Sequence, residues 1–170
     1  MIQDARIGAF VKSLPIPHVP ADTTLFPAGP VTIGLEYRVF DPVAEAAKLT
    51  PEEITAAGPD SLFGQTNVDR GVCLHVFGTE SMAEYLRFDC FLGEPHYHYI
   101  VPDDGNMLIH FDETANGPML EWALEAIERR LGPMLTQVGA GALAASIDEA
   151  LVMRALAELR PLAEARMAAV

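Results

Sequence analysis

Residues 31–40 read VTIGLEYRVF, with apolar or β-branched side chains at alternate positions. A period of two marks a strand with one buried face. Four further segments repeat it: 71–77 (GVCLHVF), 84–91 (EYLRFDCF), 95–101 (PHYHYIV) and 107–112 (MLIHFD). The links GTESMA, LGE and DDGN are short and built from turn formers, so neighbouring strands pair as antiparallel hairpins. Between the first two strands, Asp41-Pro42 places an N-cap before a proline that a first helical turn tolerates. Thr50-Pro51-Glu52-Glu53 is a capping box. Short helices are expected at about 42–48 and 51–57, then a loop over 58–71.

After the last strand the period changes. Asn116-Gly117-Pro118 opens a helix striped by Leu120, Leu124, Ile127 and Leu131, which Pro133 kinks or ends. GAGALAA interrupts the pattern; it lacks the Lys-Ser/Thr and the preceding strand of a phosphate loop. Ser146-Ile147-Asp148-Glu149 is a capping box for a final helix with Leu151, Ala155, Leu159 and Leu162 on one side. Strands first and helices last predict an α+β fold: an antiparallel sheet of about five strands, helices packed on one face, and a C-terminal helical pair. Nothing divides 31–170, which reads as a single α+β domain. Residues 1–30 hold Pro15, Pro17, Pro20, Pro27 and Pro30 and read as an extended proline-rich N-terminal arm.

Alternation also divides each strand between two faces. One face collects Val31, Ile33, Leu35, Tyr37 and Val39, then Val72, Leu74 and Val76, Leu86, Phe88 and Cys90, Tyr97, Tyr99 and Val101, and Met107, Ile109 and Phe111. The other collects Glu36 and Arg38, Cys73, His75 and Phe77, Tyr85, Arg87 and Asp89, His96, His98 and Ile100, and Leu108, His110 and Asp112. The first belongs under the helices. Turn chemistry then suggests a register. Gly93 in a two-residue type II′ turn puts Asp89 opposite His98. A three-residue loop over Asp103-Asp104-Gly105, with Gly105 left-handed, puts His98 opposite His110 and His96 opposite Asp112. A tighter Asp104-Gly105 turn would slip the pairing by one and send His110 to the other face; the apolar alternation favours the first arrangement.

Composition narrows what the polar face can do. The chain has 170 residues and a net charge of −13, with lysine only at Lys12 and Lys48. Nucleic-acid backbones and anionic membranes need clustered cations, so neither is expected as a partner. No apolar run reaches the roughly 20 residues of a membrane span, and the N-terminal segment with Asp4 is a poor secretory signal. A cytoplasmic protein with Cys73 and Cys90 as packing thiols is expected. The Ala and Arg bias fits a GC-rich bacterial genome. Half of the residues are hydrophobic, and some of that surface is expected between the subunits of a homodimer.

On this register His96, His98, His110, Asp89 and Asp112 converge across three strands. Imidazole with carboxylate is the ligand set of zinc, iron or manganese. These five are the candidate metal ligands, and a divalent metal is the expected cofactor. Arg87 can hold a substrate carboxylate, His75 can carry a proton, and Tyr85 can donate a hydrogen bond, so the three are candidate catalytic residues. The expected activity is metal-dependent chemistry on a small polar or anionic molecule: hydrolysis or lyase chemistry with zinc, oxygen chemistry with iron. The rival readings are a metal-free binding module or an interaction protein using the same face. The remaining features read as structural: His18 as a surface residue, Asp103 and Asp104 as turn formers, Trp122 as packing. His96-x-His98 with Asp103 and His110 resembles the metal motif of cupins. The second glycine-rich strand motif of that family is absent, because the chain turns helical there, and no family is assigned.

Overall fold

The computed structural model describes residues 9–11, 15–57 and 67–169. Its strands form one antiparallel sheet. β2 (Thr23–Ala28), β3 (Val31–Phe40), β4 (Asp69–Gly78), β5 (Glu84–Phe91), β6 (His96–Val101) and β7 (Gly105–His110) make a six-strand meander. The three-residue β1 (Ala9–Val11) pairs with β7 at the far edge. The five expected strands are therefore present. β1 and β2 fall in the stretch read as an arm, of which residues 1–8 and 12–14 lie outside the described residues. Most of the loop expected over 58–71 lies outside them too.

The helices form where their caps predict. Asp41 accepts the Val43 and Ala44 N–H groups at 3.0 and 3.1 Å and starts α1 (Pro42–Ala46). Thr50 and Glu53 close a reciprocal box, 2.7 and 3.2 Å, at α2 (Pro51–Ala57). α3 (Glu113–Asn116) is a single turn. α4 (Met119–Gln137) continues through Pro133, and GAGALAA contributes the short α5 (Gly141–Ala145). The cap of α6 (Glu149–Ala168) is Asp148, not Ser146, whose hydroxyl instead donates to Leu143 O at 2.8 Å. The buried stripe of α6 is Val152, Ala155, Leu156, Leu159 and Ala163, and Leu162 is exposed.

α4 and α6 pack on the sheet face built from Ile33, Leu35, Leu74, Val76, Leu86 and Phe88, all fully buried. Each such side chain contributes about 1.5–3 kcal/mol, so this layer decides which face of every strand turns inward. Trp122 packs among Phe88, Tyr97 and Phe111, as expected of a core aromatic. With the apolar face committed to the helices, the polar halves of β3 to β7 share the other side. Residues 15–19 cross that side and cover part of it: Ile16 packs on Phe40, Cys73 and Phe91. Among the described residues no helix is long and apolar enough to cross a membrane.

Candidate metal centre

Cross-strand pairing arranges the polar face in rows. Glu36, Cys73, Asp89, His96 and His110 stand opposite one another from β3 to β7. The adjacent row is Gly34, His75, Arg87, His98 and Leu108. The histidines thus share one face, as the alternation predicts, but each hairpin is two residues from the expected register. Asp89 faces His96 instead of His98, and His96 faces His110 instead of Asp112.

The loops explain both shifts. The β5–β6 link does not close tightly on Gly93. The Asp69 carboxylate, at the start of β4, collects the Gly93 and Glu94 N–H groups at 3.0 and 2.8 Å, and Leu92 N–H goes to Arg70 O. In the β6–β7 link Asp103 (φ +66) after Pro102 adopts a positive φ as well as Gly105 (φ +143), with Asp104 N–H closing on Val101 O at 3.1 Å. Proline first and a positive φ second is the type II turn pattern, and it pairs Val101 with Gly105.

Asp89, His96 and His98 are brought together and buried. One ligand atom from each lies within 4.8 Å of the others. Both imidazole Nε2 atoms point at Asp89 Oδ2, each at 3.2 Å. Their other nitrogens are already fixed. His96 Nδ1 meets the Glu94 carbonyl oxygen at 2.7 Å, and His98 Nδ1 meets Asn106 Oδ1 at 2.6 Å. A carbonyl oxygen only accepts, so each Nδ1 carries the hydrogen, and each neutral ring presents an Nε2 lone pair to the carboxylate. With both rings neutral, three acceptors meet; a ring that takes a second proton on Nε2 becomes a donor to the carboxylate. Asp89 Oδ1 is also buried, without a hydrogen-bond partner among the described residues. A second proton on one ring or a metal ion at this point would satisfy the group.

Charges respond accordingly. Burial alone would raise the Asp89 carboxyl, but hydrogen bonds from His96 and His98 hold it well below the carboxylate range. Burial opposes a charge on His96, yet the Asp89 contact outweighs it and raises that ring. Burial, helped by the charge on His96, lowers His98. Burial and the facing Asp89 push the Cys73 thiol far up, which keeps it an inert packing group.

The remaining predicted residues are placed differently. His110 is at the rim, its side chain 56% exposed, 3.8 Å from Glu94 Oε2 and outside the buried trio. Asp112 lies beyond β7 and caps α3, accepting Ala115 N–H at 3.1 Å. A β-bulge at Val76/Phe77 turns Tyr85 to the helix-packed core and brings Glu84 to the polar face in its place. Glu84 grips Arg87 bidentately at 2.8 and 2.7 Å, and Arg87 Nη1 donates to Ile16 O at 2.6 Å. His75 lies between Glu84 (2.7 Å) and Glu36 (3.1 Å), and Glu36 pairs with Arg38 at 2.9 Å. A chain of hydrogen-bonded polar groups, Arg38–Glu36–His75–Glu84–Arg87, therefore runs beside the trio. His18 is not a free surface residue: its ring lies over His75 and Phe77, with centroids 5.7 and 4.9 Å away.

Alternation of side chains, which assumes an unbroken strand, missed Glu84. Asn106 was overlooked because DDGN read wholly as turn. Glu36 was visible on the correct face but carried no motif.

The chain of polar groups makes acid stability testable. Burial would raise Glu84, but the His75 hydrogen bond and Arg87 overcome it and hold the carboxyl at about 2, below its ordinary 4.5. A carboxyl held low in the folded state stabilises it above pH 4.5 and loses that contribution as pH falls toward 2. The shift corresponds to about 3 kcal/mol. Urea unfolding of Glu84→Gln across this window should show a shallower pH dependence than wild type. Parallel curves would mean that Glu84 is not held low.

A cavity of about 300 Å³ opens on the helix side between Phe91, Met119, Leu124 and Met167, and it shares no residue with the trio. Neither a curated protein nor a solved structure matches the chain. The family model described as a domain of unknown function (DUF7700) matches residues 25–163, a span that holds β3 to β7, α4 and the whole Asp89–His96–His98 group. The chain belongs to this family.

Proposed function

We propose that Asp89, His96 and His98 hold a divalent metal ion and that the protein uses it to act on a small polar molecule. The observation that carries this reading is the meeting of two Nε2 lone pairs and a carboxylate oxygen around one buried point. Nδ1–H groups turned to carbonyl oxygens are the outer-shell arrangement that orients metal-bound histidines. Two imidazoles and a carboxylate suit iron, manganese or zinc. Structural zinc normally takes four protein ligands, whereas catalytic metals keep a position for water or substrate. Three ligand residues, with His110 at the rim, fit the second kind.

A bound ion would supply Lewis acidity and would lower the pKa of its water. The protein supplies the surroundings. Ile16, Phe40, Cys73 and Phe91 form an apolar wall beside the trio, and the Phe91 ring meets His96 edge-on at 5.7 Å. Such a wall limits bulk water and strengthens electrostatic interactions within the site. Arg87 is held by Glu84 and Ile16 O, so it acts on a ligand through its field or by exchanging the carbonyl.

Elemental analysis of purified full-length protein tests the reading. One equivalent of zinc, iron or manganese per chain is expected, falling below a tenth of an equivalent in His98→Ala and Asp89→Asn. Wild-type protein that stays metal-free after incubation with each ion in turn would leave the metal-free binding module as the better account.

A further inference from the structure

We propose that the ligand completing this metal centre is a small carboxylate-type anion, an inference that rests on the metal reading above. The argument is charge balance in a buried layer. Beside the trio, Arg38 and Arg87 are paired with Glu36 and Glu84, and His75 lies between the two glutamates. Both His75 nitrogens face carboxylate oxygens, and both hydrogen bonds form only when the ring carries two hydrogens.

With a divalent ion bound, three carboxylates (Glu36, Glu84 and Asp89) face two guanidiniums and the ion. At least one positive charge remains uncompensated. Glu36, His75, Arg87, Asp89, His96 and His98 are each at most 5% exposed, so water screens this excess weakly. An unpaired buried charge is costly, and an anion bound in the layer removes that cost.

The arginines show where such an anion is received. Glutamate occupies the Nε edge of each. The free edges turn to one short stretch of backbone: Arg87 Nη1 and Arg38 Nη1 reach Ile16 O at 2.6 and 3.4 Å, and Arg38 Nη2 reaches Pro17 O at 2.9 Å. A carbonyl dipole offsets only part of a charge, whereas a carboxylate matches a guanidinium in both charge and geometry. The site lies next to the ion, because Arg87 stands directly opposite the ligand His98 and Ile16 rests on Cys73, which stands opposite Asp89. The attraction is local: with a net charge of −13 the molecule as a whole repels anions.

The test uses full-length protein loaded with Co²⁺, whose visible spectrum reports both binding of the ion and any change in its ligands. Acetate should alter the spectrum saturably, and acetamide, of the same size but neutral, should not. Arg38→Gln removes one positive charge and should weaken acetate about tenfold with Co²⁺ stoichiometry unchanged. One equivalent of Co²⁺ with a spectrum indifferent to acetate overturns the anion proposal and leaves the metal reading standing. An equal response to acetamide also overturns it, since the site would then select shape and not charge. Failure to bind Co²⁺ removes both readings.

Discussion

Arg87→Met is expected to destabilise the protein by about 3–5 kcal/mol, read as a lower urea midpoint with an unchanged slope. Arg87 is 1% exposed and anchors two parts of the molecule. Its Nε edge holds Glu84 in a bidentate pair, and Nη1 holds the Ile16 carbonyl at 2.6 Å. Methionine fills similar space but leaves the Glu84 carboxylate facing only His75 and deprives Ile16 O of its closest donor. Removing one member of a buried pair exposes the full desolvation cost of the other. Glu84 should then titrate higher, and acid unfolding should begin at a higher pH than in wild type. Arg87→Lys keeps a charge without the fork and should fall between the two. A wild-type midpoint for Arg87→Met would show that the charged chain contributes nothing net to stability.

Gly71→Ala is the second large effect, from a residue with no polar group. Gly71 stands opposite Phe91, and a methyl group there would overlap the Cys90 carbonyl oxygen. The obstacle is backbone, which cannot rotate away as a side chain can. β4 and β5 must therefore separate locally, at a cost of about 3 kcal/mol. Asp89 lies two residues along β5 from the displaced Phe91. Its carboxylate should move relative to His96 and His98, and metal affinity should fall at least tenfold. Calorimetric unfolding and metal titration of this variant measure the two effects separately. Unchanged values in both would contradict the close β4–β5 approach at this point.

Much of the fold is legible from alternation and capping. The apolar halves of β3, β4 and β5 meet α4 and α6 except at Val39, which is 58% exposed, Tyr97 of β6 reaches Trp122, and Asp41, Thr50 and Glu53 start their helices. Part of the site is legible for the same reason: Asp89, His96 and His98 fall on one face by parity alone. Parity did not separate the buried trio from His110 and Asp112, since exposure depends on where the chain bends away. It also misplaced Tyr85, because a bulge inserts a residue and inverts every assignment before it.

The sequence by itself determined the five central strands, the two long helices and the face on which each strand histidine lies, because hydrophobic burial sorts alternate side chains without reference to the partner strand. Tertiary structure decided who stands opposite whom. The Asp69 carboxylate draws the β5–β6 link toward β4, and Pro102 with Asp103 closes the next link, so Asp89 meets His96. It also decided that residues 15–19 cross the polar face and bury it. These outcomes depend on contacts between residues distant in the chain, whose free energies of a few kcal/mol choose among registers that local pattern leaves equivalent.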